Sequence, residues 1–96
     1  MDNQVKDEIL EEMNKMYKLY YIRFKERVCF LERLFNQDLI EDEYVKEVIK
    51  AENYIEKKID SFKRKIIFYG QLNNLNLSNE AEDFSFNEKC KLGLIK

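Results

Sequence analysis

Not one proline interrupts this chain of 96 residues, and its apolar side chains recur at alternating steps of three and four over two long runs. That spacing belongs to one face of an α-helix and is incompatible with the two-residue repeat of a strand. The first run reads Leu10, Met13, Tyr17, Tyr20, Phe24, Arg27, Leu31, Leu34, and only Arg27 breaks it. The second reads Val45, Val48, Glu52, Ile55, Ile59, Phe62, Ile66, Tyr69, and only Glu52 breaks that one. Between them the stretch FNQDLIED supplies Asn36 as a left-handed C-terminal cap, and Asp38 with Glu41 as a capping box. Gly70 after IIFY is the expected terminator of the second helix.

The pattern predicts an all-α chain built on a long antiparallel helical hairpin, with helices over about residues 4–36 and 40–69. Residues 1–70 form the hairpin and residues 71–96 a tail packing on it, in a single domain. In the tail, Leu72, Leu75, Leu77, Phe84 and Phe86, with Asn79 and Glu82 as caps, predict a short third helix. The shortest workable turn pairs residues across the hairpin whose numbers add to 79. In that register Tyr17 faces Phe62 and the two interruptions face each other, so Arg27 and Glu52 are expected to form a register-setting ion pair. Such a pair adds little net stability but penalises misaligned pairings.

One hairpin cannot cover everything apolar on the first helix. Besides its seam, residues 16 to 35 carry Met16, Leu19, Tyr21, Ile22, Val28, Cys29, Phe30 and Phe35, and a helix apolar nearly all round expects cover on more than one side. The tail, a second copy or another protein must supply it. The arrangement expected here is a four-helix-type homodimer in which the first helices meet through Met16, Leu19, Ile22, Val28, Phe30 and Phe35. A chain of this size buries only about 60 to 65% of its unfolded surface, which adds to the need for help.

Chemistry is excluded more firmly than binding. There is no histidine, no CxxC and no glycine-rich phosphate loop, so metal, nucleophile and nucleotide motifs are all missing. The expectation is a non-enzyme with no cofactor, and two free thiols at Cys29 and Cys90. No run reaches the roughly 20 apolar residues of a membrane span, and the opening MDNQVKDEILEE is acidic, unlike a signal peptide. The chain therefore reads as cytoplasmic, with no membrane partner.

The charges are banded. Residues 13–27 and 57–66 each carry five cations against one carboxylate, and they would lie side by side halfway along the hairpin. Lys18, Tyr21, Lys25, Lys57 and Arg64 are the candidates for a basic, aromatic girdle touching nucleic acid. Against this stands a net charge of −2, and lysine is inflated in a composition rich in the residues of AT-rich codons. The leading expectation is a small interaction or regulatory protein that binds itself and a protein partner through helix faces; nucleic-acid binding is the alternative.

Overall fold

The computed structural model describes residues 2–37 and 41–94. Among them are three helices and no strand: α1 (Asp2–Gln37), α2 (Glu41–Leu72) and α3 (Ser78–Lys91). At 1.5 Å per residue α1 is about 54 Å long, close to the 56 Å long axis of the molecule. α2 runs back along α1, as the partners show: Phe35 packs on Tyr44 with ring centroids 4.7 Å apart, and Tyr17 meets Phe62 edge-on at 6.0 Å. Both ring pairs obey the 79 register read from the sequence.

The seam is built by Met13, Tyr17, Phe24 and Leu31 of α1 against Ala51, Ile55, Ile59, Phe62 and Ile66 of α2, all buried. Toward the turn it departs from the expected stripe. Val45 is 46% exposed and Ala51 is buried instead, so the contact line on α2 swings from the Val45/Glu52 row onto the neighbouring row. Tyr69 at the other end is also exposed. Asn36 is not a left-handed cap, because α1 runs helically through it to Gln37; Asp38, half of the expected capping box, lies outside the described residues.

Gly70 does not end α2. The helix continues to Leu72, and the left-handed residue is Asn74, with φ of 59°. Gly70 is there for close approach: a Cβ on it would stand 2.8 Å from Leu77 Cγ and 3.1 Å from the Leu75 carbonyl oxygen. Its own carbonyl accepts hydrogen bonds from the backbone N–H groups of Asn73 and Leu75, at 3.0 and 2.8 Å, which folds the chain back on itself. α3 then starts without a side-chain cap, and Asn79 lies inside it. The carboxamide of Asn76 accepts the Ser78 N–H at 3.1 Å in its place.

α3 lies antiparallel to α2 along one flank of the hairpin, held by Lys63–Glu82 at 2.7 Å and Lys89–Asp60 at 3.0 Å. Its buried positions are the small residues Ala81 and Ser85, which let the two backbones come close. It also reaches α1: Phe84 meets Tyr17 edge-on at 5.2 Å, and Lys6 approaches Glu80 at 4.0 Å. The molecule thus has three helices at one end and only two at the turn end, where Phe30, Phe35, Val45 and Ile49 are left exposed.

The close contact at Gly70 makes a prediction. Gly70→Ala should cost about 1 to 3 kcal/mol in denaturant unfolding, as overpacking does. In a Leu77→Ala background, where the clashing side chain is gone, the same substitution should cost much less.

Candidate interaction surface

α3 divides the hairpin into a covered and an uncovered flank. On the covered flank, α1 presents Leu10, Tyr21 and Val28, which are partly buried against the core. On the other side of the seam α1 presents Met16, Leu19, Arg23 and Phe30, with Met16 43%, Leu19 63% and Phe30 44% exposed. At 3.6 residues per turn these four lie within about 60° of one another around the helix. The six residues expected to form one partner face therefore do not share a face. Met16, Leu19 and Phe30 do; Ile22 stands further round; Val28 is packed toward α3 and Phe35 is stacked on Tyr44.

Two grooves flank this exposed strip. The first, of about 350 Å³, is apolar at its floor through Val5, Ile9, Met13 and Tyr69, and carries Glu8 and Glu12 on its wall. The second, of about 300 Å³, has Phe24, Ala51 and Tyr54 as its apolar part, with Arg23, Arg27, Lys50 and Glu47 around it. Ala51 is the reason the second groove exists, since the swing of the seam puts a methyl group where a larger side chain would have filled the space.

That swing also settles where Arg27 goes. Its Nη2 donates to Glu47 Oε2 at 3.2 Å, while Lys50 Nζ lies 3.2 Å from Glu47 Oε1. The expected pair of Arg27 with Glu52 is not formed: Glu52 is half-buried and makes no ion pair among the described residues. Arg27 is half exposed, so it is not the buried charge that its place in the heptad suggested. The hydrogen bond from Lys50, and next the one from Arg27, hold the Glu47 carboxyl below the usual glutamate range. At this exposure the cluster contributes little to stability. What it does is set the charge of the second groove, in which three cations surround one carboxylate.

The girdle expected from the charge bands is not one surface. Lys18 and Lys25 project beside α3, where Lys25 and Lys91 lie 5.8 and 5.3 Å from the Tyr21 ring centroid. Lys57 and Arg64 occupy the side of α2 about 180° from its buried seam, turned away from α1. Tyr21 is half-buried and in contact with the Tyr17 ring, so it does not stand free for base stacking. Other cations meet aromatic faces on the uncovered flank instead: Lys58 lies 4.4 Å from the Tyr20 centroid and 5.5 Å from that of Tyr54.

Between α1 and α3 lies a third cavity, of about 200 Å³, lined by Asn14, Tyr17, Lys18, Tyr21, Glu88 and Lys91. Sequence reasoning passed over it, because Tyr17 reads as a seam residue and Glu88 as one carboxylate among many. The Tyr17 side chain is 3% exposed, and its hydroxyl has no hydrogen-bond partner among the described residues. Burial raises the Tyr17 phenol above the usual tyrosine range, and the nearby Glu88 carboxylate and Tyr21 push the same way. Glu88 Oε2 is likewise buried without a hydrogen bond, with the Lys91 ammonium 3.3 Å away. No cluster of potential metal ligands occurs among the described residues, and Cys29 and Cys90 are exposed free thiols. No described helix is long and apolar enough to cross a membrane. No family model, curated protein or solved structure matches the chain.

The isolated Tyr17 hydroxyl gives a two-part prediction. At neutral pH, Tyr17→Phe should leave stability unchanged or raise it by up to about 1 to 2 kcal/mol, since a buried group without a partner is removed. The folded state keeps the phenolic proton where the unfolded state releases it, so wild-type stability falls as pH rises above about 10. Chemical denaturation from pH 8 upward should show a shallower decline in the phenylalanine variant.

Proposed function

We propose that the chain is a small non-catalytic interaction protein that works by presenting the uncovered flank of α1 and α2 to a macromolecular partner, and that it self-associates through that flank in the cytoplasm. The observation carrying this reading is the exposure of Met16, Leu19 and Phe30 on one flank of α1, beside Tyr54, Tyr69 and Leu72 of α2, which are 40%, 41% and 62% exposed. Scattered apolar residues need no explanation, but here Met16 and Leu19 stand together at mid-helix, Phe30 lies further along the same side, and shaped grooves flank them, which is the arrangement of a docking surface. Aromatic residues and arginine together, as at Phe30, Tyr54, Arg23 and Arg27, are the types that dominate binding energy in such surfaces.

The fold supports the same reading from the side of economy. α3 covers one flank with Phe84 and small residues, and the opposite flank receives nothing from the described chain. The exposed Cys29 and Cys90 thiols suit a reducing compartment. The dispersal of Lys18, Tyr21, Lys25, Lys57 and Arg64 breaks up the girdle on which the alternative, nucleic-acid reading rested.

Sedimentation velocity tests the proposal. The sedimentation coefficient should rise with concentration through the micromolar range. Leu19→Glu should abolish that rise while leaving the far-ultraviolet helical signal intact, because the side chain is exposed in the single copy. A compact monomer throughout that range would remove self-association from the proposal.

A further inference from the structure

We infer that two copies of the chain pair antiparallel through the uncovered flank of α1, with the two-fold axis passing between Met16 and Leu19. The inference rests on the self-association reading above and adds to it the face, the direction and the register. Its ground is the order of charges along the strip. The N-terminal half carries Glu8 and Glu12, the C-terminal half carries Arg23 and Arg27 with Glu26, and the exposed apolar pair Met16 and Leu19 lies between. A two-fold interface makes each surface its own complement. Parallel pairing would set Glu12 against Glu12 and Arg23 against Arg23, which costs binding; antiparallel pairing sets the acidic half on the basic half.

Only one antiparallel register satisfies the strip. With residue numbers across the interface adding to 35, Met16 meets the partner's Leu19, Glu12 meets the partner's Arg23, and Val5 meets the partner's Phe30. All these positions lie within about 30° of the strip's centre line at 3.6 residues per turn. Sliding by one heptad in either direction sets Glu12 against Met16 or against Phe30, so a charge loses its counterion and faces an apolar side chain. Within one copy Arg23 makes no ion pair among the described residues, and Glu12 has only the exposed Lys15 at 3.9 Å. Both are therefore available to a second copy.

The grooves agree with this register. The acid-walled groove lies beside α1 residues 5 to 16 and the basic groove beside residues 23 to 27. The two-fold places one over the other. Phe30, 44% exposed, is then carried to the apolar floor at Val5, Ile9 and Met13, a groove of about 350 Å³ that suits one aromatic ring. Buried aromatic anchors in preformed apolar grooves are where binding energy concentrates.

Charge exchange tests the pairing. Glu12→Arg and Arg23→Glu should each weaken self-association at least tenfold in sedimentation, since each sets like charges face to face at two symmetry-related places. The double variant Glu12→Arg/Arg23→Glu should recover association to within a few-fold of wild type. An equimolar mixture of the two single variants should also associate, because a heterodimer restores opposite charges at both contacts. Circular dichroism of each variant establishes that the helices are intact. If wild type is a monomer, both the self-association reading and this inference fall. If wild type associates but the single variants match it, or the mixture and the double variant fail to recover, self-association stands and this face and register are wrong.

Discussion

Tyr17 is the side chain on which the three helices converge. From near the midpoint of α1 its ring meets Phe62 of α2 and Phe84 of α3, both edge-on, while Tyr20 packs on Phe62 from one turn further along, at 5.8 Å. Such aromatic contacts add about 0.5 to 1.5 kcal/mol each beyond the area they bury. They also fix geometry. Phe62 and the fully buried Ile55, Ile59 and Ile66 hold the hairpin in register, and Phe84 pins α3 to one flank of it. The hydroxyl left without a partner is the cost of putting a tyrosine at that junction.

The placement of α3 decides what the rest of the surface can do. A helix of 14 residues cannot wrap a hairpin more than twice its length, so it covers one flank of one end. The tight fold-back at Gly70 and Leu77 sets it down antiparallel to α2 on that flank. The apolar strip Met16, Leu19 and Phe30 is therefore not a defect of packing within one copy. It is the surface left over once the short helix is committed, and its acidic and basic halves are ordered along α1 in a way that a second copy can match.

Much of this was legible in the residues. The two stripes at steps of three and four located α1 and α2 to within a few residues, and the register of Tyr17 on Phe62 follows from the length of the turn. The excess of apolar residues on α1 was visible as well. What was not legible depends on small residues. Ala51 carries almost no hydrophobic signal, so the swing of the seam was invisible, and with it the partner of Arg27, which is Glu47. Ala81 and Ser85 hid the buried face of α3 for the same reason. Local pattern marks Gly70 as a helix terminator, whereas its role is set by Leu77, seven residues on, through a contact that local pattern cannot show. The charge bands were plain in sequence; which flank each residue occupies required the helices to be phased against one another.

The proposed dimer brings the uncovered flank of α1 against its own copy, antiparallel. An isotope-filtered NOESY spectrum of a mixed sample, one half labelled with carbon-13 and the other unlabelled, reads this directly, because it reports only contacts between copies. The antiparallel pairing predicts cross-peaks from Phe30 ring protons to Val5 methyls and from Met16 to Leu19. Intermolecular peaks that instead join Phe30 to Phe30, or that arise from the Tyr21 and Val28 side of α1, would contradict it.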